Sequence, residues 1–149
     1  MTIRFLIITL ALVSCNSSNK TQEVINDTAS KAIEITHEPL LKASMAKGKD
    51  IYSSFCVTCH LPNGRGVTKV FPPLAQSDYL MNKRHASIKA IKYGQSGQIT
   101  VNGQVYNNSM ASQGLQDAEI AHVMNYITNS WGNSNNKLIT EEEVSKIEP

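Results

Sequence analysis

Residues 55–60 read FCVTCH: two thiols separated by two residues, with an imidazole directly after the second. Cysteine and histidine in that spacing can do four things. The thiols can add across the vinyl groups of a haem while the histidine reaches its iron. All three side chains can bind zinc. The thiols can cycle as a redox dithiol, or they can close a plain disulfide. The rest of the chain has to discriminate among these.

The only other cysteine of the 149-residue chain is Cys15. It follows an N-terminal segment built for export. MTIR carries one positive charge, and FLIITLALV is an apolar run of nine, too short for a stable bilayer span. LVSC at residues 12–15 resembles a bacterial lipobox, in which a small residue precedes the cysteine that becomes the lipidated N-terminus. We therefore expect a signal peptide over residues 1–14, lipidation at Cys15 and a periplasmic or cell-surface location. An ordinary cleaved signal or an uncleaved anchor are the alternatives, and each of them also exports the chain. Free thiols in an oxidising compartment need a purpose. With Cys15 assigned to lipid, Cys56 and Cys59 have no other cysteine to pair with. Residues 15–40 are polar, mixed in charge and weakly periodic, and read as a flexible tether in which VINDTASKAIEI is at most a weak helix.

The elements that must position the motif lie in residues 41–132. Leu41, Met45, Gly48, Tyr52 and Phe55 fall at helical spacing ahead of Cys56. Gly48 is out of place in a helix, where glycine costs about 1 kcal/mol against alanine. Either another helix approaches closely there, or the helix starts near Gly48. A second helix is expected over residues 117–131, with Ile120, Val123, Met124, Ile127 and Trp131 on one stripe, Asp117 at its start and Gly132 at its end. A third covers roughly Lys83 to Tyr93, with Ile88 and Ile91 inward and Gly94 stopping it. Between the last two, Ile99 and Val101 alternate with polar residues, and Asn102-Gly103 precedes Val105, which reads as a hairpin. The fold class expected is all-α with one small β-hairpin. In the tail, residues 133–149, Thr140 and Glu143 fit a capping box for a short helix that either docks or stays mobile.

This organisation weighs against three of the four uses. A thioredoxin-like dithiol follows a strand in a βαβ unit, whereas this CxxC follows a helix. A structural zinc site needs a fourth ligand, for which His85 or His122 are candidates, and adjacent Cys59 and His60 are awkward donors to one tetrahedron. A plain disulfide leaves His60 unexplained. C-x-x-C-H is the attachment signature of haem c, and its strict spacing follows from vinyl groups and iron fixed on one flat ring. A module of roughly ninety residues buries a limited core, and haem would enlarge it. The iron's sixth ligand is expected to be Met110, which stands in the polar loop YNNSMASQG; methionine there favours electron transfer. Met124 reads as core, while Met45 and Met81 lie close to helices.

From about Lys47 to Trp131 the chain resembles a class I cytochrome c. GKDIYSSFCVTCH is similar to that family's first helix and attachment site, MASQGL to its methionine loop and EIAHVMNYI to its C-terminal helix. The resemblance implies a cytochrome c fold of three to four helices around one covalent haem c. It places Gly48 and Tyr126 where the first and last helices cross. It implies that the Pro72 carbonyl, in FPPL, accepts the N–H of the axial His60. The implied function is single-electron transfer, with Cys56 and Cys59 tethering the ring and His60 and Met110 ligating the iron. Tyr106 and Trp131 are candidates to touch the haem, with core packing as the alternative. An open sixth site, suited to gas sensing or catalysis, remains the rival reading. A di-haem peroxidase would need a second CxxCH, and the sequence has none.

Charge is unevenly spread. Residues 40–132 hold nine Lys/Arg against four Asp/Glu, a balance of +5, while residues 16–39 and 133–149 are each −2. Expected partners are redox proteins with acidic docking surfaces, steered by Lys69, Lys83, Arg84, Lys89 and Lys92. An ordinary solvated lysine surface is the alternative. A membrane reached through the N-terminal lipid completes the set, and no nucleic acid is expected.

Overall fold

A computed structural model describes the backbone of residues 20–149 and the side chains of residues 37–149. Cys15 and the signal peptide lie outside the described residues. The chain divides into two units, residues 1–35 and Thr36–Pro149. Helix α1 is assigned over Lys20–Phe55. The segment expected to be an irregular tether is therefore helical from Lys20. It contains no glycine, and its one helix breaker, Pro39, lacks the amide that would pair with the Ile35 carbonyl. No helix among the described residues is long and apolar enough to cross a membrane.

In the C-terminal unit the remaining elements are α2 (Val57–His60), α3 (Asp78–Asn82), α4 (Arg84–Tyr93), strands β1 (Ile99–Val101) and β2 (Gln104–Tyr106), α5 (Asp117–Ile127) and α6 (Glu141–Ser145). The strands form an antiparallel pair with Thr100 opposite Val105. Asn102 and Gly103 both take positive φ, 50° and 76°, as a two-residue hairpin turn with matching twist requires. The all-α class with one small hairpin is borne out.

Helix α1 runs unbroken through Gly48 because α5 crosses there. A Cβ at position 48 would run into the His122 carbonyl and stand 2.8 Å from Tyr126 Cβ. Beside the crossing, Ser44 Oγ meets His122 Nδ1 at 2.8 Å and accepts from Asn125 Nδ2 at 2.9 Å. Tyr52, Tyr126 and Trp131 stack as a tilted trio with centroids 4.9–5.6 Å apart. Trp131 is not on α5, which ends at Ile127. Polar side chains take the carbonyls at its end: Thr128 Oγ1 bonds Met124 O, Asn129 Nδ2 bonds Asn125 O and Ser130 Oγ bonds Tyr126 O. Trp131 then swings back with φ of 54°.

The tail docks. Ile139, Val144 and Ile147 join the same buried cluster as Ile88, Ile120 and Met124. Asn125, fully buried, exchanges two hydrogen bonds of 2.8 Å with the backbone of Ile139. Thr140 caps α6 by accepting from Glu143 N, but Glu143 does not return the bond of a capping box. Its carboxylate accepts instead from Nε and Nη2 along one edge of the Arg84 guanidinium.

Candidate functional site

The end of α1 turns sharply into α2, and this turn presents the motif. Cys56 N still bonds Tyr52 O, and His60 N bonds Cys56 O at 2.9 Å. Tyr52, 2% exposed, donates its hydroxyl to Leu61 O at 2.6 Å and fixes the backbone just after His60. Burial pushes the Tyr52 phenol well above its ordinary range, so it stays a donor.

His60 is buried. Its Nδ1 donates to the Pro72 carbonyl at 3.0 Å, since a carbonyl can only accept. That bond leaves Nε2 as the nitrogen with a free lone pair. Burial lowers the His60 pKa, opposed by the bond to Pro72, so the ring is neutral and fit to bind a metal. The loop that brings Pro72 back is held by Gly66 N to His60 O at 3.0 Å, by the Val67–Phe71 bridge, and by Leu74 N to Gly64 O at 2.7 Å. Gly66 has φ of 61°, and a Cβ there would collide with the Phe71 and Pro72 carbonyls.

Cys56 and Cys59 are free and half-buried. Burial, and then the neighbouring Cys59, raise the Cys56 pKa to about 11, which keeps it a thiol at neutral pH. Met110 is half-buried and belongs to a backbone bridge with Gln95: each amide bonds the other's carbonyl at 2.8 Å. Gly94, φ 92°, makes room for this loop, with Met110 O only 2.9 Å from where its Cβ would stand.

Cys56, Cys59, His60, Pro72 and Met110 all line one cleft of about 360 Å³. Its walls are largely apolar, from Leu74, Leu80, Ile91, Val101 and Met124 among others. Two thiols, a neutral imidazole with one nitrogen spare, a thioether and an apolar lining form a donor set that fits a covalently held haem. The chemistry of these groups, soft sulfur with imidazole, suits iron in a macrocycle. The geometry also answers the zinc alternative. His122 is engaged with Ser44, and His85 lies with Arg84 and Glu142 beside the tail. Among the described residues, no three His, Cys, Asp or Glu side chains come together as a metal site.

Residues 45–131 match the family described as cytochrome c. The chain belongs to the cytochrome c family. This cytochrome is 40% identical over 116 residues to cytochrome c-552 of Thermus thermophilus, spanning 72% of the present chain and 78% of that protein. It is 30% identical over 109 residues to the cytochrome c subunit of a quinone alcohol dehydrogenase from Gluconacetobacter polyoxogenes, a match that spans 67% of this chain but 22% of that protein. Membership brings with it covalently bound haem c as the cofactor and an electron carrier rather than an enzyme.

The basic side chains expected to steer partners divide on inspection. Arg84 holds Glu143 and the carbonyls of Lys137 and Leu138, and Lys92 holds Asp117 and the Val144 carbonyl. Arg84 thus serves the tail alone, with three partners there, and Lys92 serves one partner at the entry to α5 and one in the tail. Lys69 and Lys83 remain exposed, the latter 5.2 Å over the Tyr79 ring. Tyr106 lines the cleft, whereas Trp131 packs in the aromatic trio. Sequence reasoning missed Gln95 and Gly66 and saw Gly94 only as a helix stop, since their roles in the loops appear only once the loops are paired. It also missed Ser87 on α4, whose buried Oγ lines the cleft without a hydrogen-bond partner.

Proposed function

We propose that this cytochrome carries single electrons between exported or membrane-bound redox partners, with Cys56 and Cys59 tethering the haem and His60 and Met110 as the axial ligands. Bound haem c supplies a one-electron ferrous/ferric couple. The observation that carries the reading is the Gln95–Met110 bridge, which seats the one loop methionine on the same cleft as His60. A thioether fixed by its own backbone favours an unchanged ligand set in both oxidation states, and so little reorganisation. The Pro72 carbonyl orients the His60 ring and raises the basicity of Nε2. The apolar walls exclude water and disfavour the extra charge of the oxidised centre.

The test is the optical spectrum of the protein matured with haem, oxidised and then reduced. Sharp bands on reduction and a weak iron–sulfur charge-transfer band when oxidised, lost in Met110→Ala, are expected. A haem spectrum lacking that band in the wild type, shifting readily with carbon monoxide, would assign an open site instead.

The LVSC sequence supports lipidation at Cys15 and attachment to a membrane on the periplasmic or cell-surface side. Mass spectrometry of the mature N-terminus, with Cys15→Ser as the control, tests it. The partial match to a dehydrogenase's cytochrome subunit supports redox protein partners, and the exposed Lys69 and Lys83 support acidic docking surfaces on them.

A further inference from the structure

The segment from Met110 to Asp117 is closed on a single residue of α4. The carbonyl of Lys92 accepts from Ser112 Oγ at 2.7 Å. The ammonium of the same residue pairs with Asp117, at 2.9 Å, where the segment enters α5. Gln113 N also reaches the carbonyl of the adjacent residue, Ile91, at 3.5 Å. Lys92 Nζ also donates to Val144 O at 2.9 Å, so the tail helix holds the same side chain from the other side. The Lys92 side chain is 16% exposed, unusually low for a lysine in no binding site. Of the partners of Lys92, Ser112 and Asp117 lie on the methionine segment and Val144 on the tail.

We infer that Lys92 is a positioning residue for Met110: with Asp117 it fastens the far end of the methionine loop to α4 and so holds the thioether on the iron. This rests on the reading of Met110 as axial ligand. Releasing Asp117 leaves the Gln95 bridge and the bonds of Ser112 and Gln113 to α4 backbone carbonyls to hold the loop, and the population in which the thioether has swung away rises. An external ligand for the iron then binds more tightly in proportion to that population.

The experiment is imidazole binding to the oxidised, haem-loaded protein, followed beside the iron–sulfur band. Lys92→Met, which keeps the aliphatic stem, and Asp117→Asn should each raise apparent imidazole affinity about tenfold. The double variant should gain no more than either single one, and Lys92→Arg should stay near wild type. Glu143→Gln, which unfastens the tail at Arg84 instead, should leave imidazole affinity unchanged. The proposal is overturned if Lys92→Met and Asp117→Asn bind imidazole like a wild type that shows the band. It is equally overturned if Glu143→Gln matches them, since the effect is then a general loosening. Should Lys92→Met fail to fold, Asp117→Asn carries the test alone. A wild type without the band, whose imidazole affinity Met110→Ala does not change, would instead remove the ligand reading and the role of Lys92 with it.

Discussion

Gly48 and the carbonyl of His122 are in direct contact, with no space between them for a methyl group. This one approach sets how deeply α5 sits on α1, and thereby where the turn bearing Cys56 and His60 stands against Val123, Met124 and Ile127. Gly48→Ala should destabilise the protein by about 2 kcal/mol, the overpacking cost exceeding alanine's better helix propensity. Denaturant unfolding with an unchanged slope checks it. A neutral or stabilising result would mean that the crossing is loose.

Gly66 plays the same part for the loop under His60. Alanine there meets both the unfavourable φ of 61° and the carbonyl of Pro72. We expect Gly66→Ala to displace that carbonyl and weaken the Nδ1–H bond of His60. A less basic imidazole favours the oxidised iron less. On the proposed ligation the midpoint potential should therefore rise, by about 40 mV where the bond is worth about 1 kcal/mol more in the oxidised state. Protein-film or solution voltammetry reads it, and an unchanged or lower potential would contradict the assignment of Pro72.

The tail is fastened by two kinds of bond with different worth. Asn125→Ala leaves the amide and carbonyl of Ile139 buried without partners, and should cost about 3 kcal/mol. Glu143→Gln removes a partly exposed ion pair and should cost about 1 kcal/mol or less. Thermal unfolding of the two variants side by side tests the order. Equal losses would show that the tail is held by its apolar residues alone.

His122 gives the crossing a pH dependence. Ser44 Oγ accepts from Asn125 and shares a hydrogen bond with His122 Nδ1. Burial first, then Lys47, lower the His122 pKa, with Glu141 and Glu119 acting in the opposite direction. Its ordinary unfolded value is about 6.5. Between the lowered folded pKa and that value the unfolded chain binds the proton that the folded one refuses. Stability therefore rises with pH through this window and levels off above it. Acidifying from neutral should weaken the fold, and His122→Gln, which can still accept from Ser44, should flatten that slope. Unfolding free energies measured from about pH 5 to 7.5 decide it.

Much of the site was legible because it rests on local chemistry. The spacing of Cys56, Cys59 and His60, the stripe of α5, the Asn102-Gly103 turn and the lone loop methionine each carry their meaning within a few residues. What was not legible depends on segments meeting. Arg84 and Lys92 read as free surface charge because nothing near them in sequence reveals Glu143, Asp117 or Val144. Helix α5 read as reaching Trp131 because the apolar spacing continues; it stops because Thr128, Asn129 and Ser130 turn their side chains to its carbonyls. The stretch from Lys20 reads as a tether because it is polar, mixed in charge and without strong periodicity, and none of these forbids the helix that the structure shows.

The crossing of α1 and α5 also orders the protein's assembly in time. Ser44 and His122, which meet there, stand 78 positions apart, and contacts of such separation form slowly. The two thiols lie early in the intervening stretch. A chain emerging N-terminus first displays Cys56 and Cys59 well before α5 exists to pack against the helix that carries them. The topology therefore completes the thiol-bearing segment in the emerging chain before the helix that packs on it.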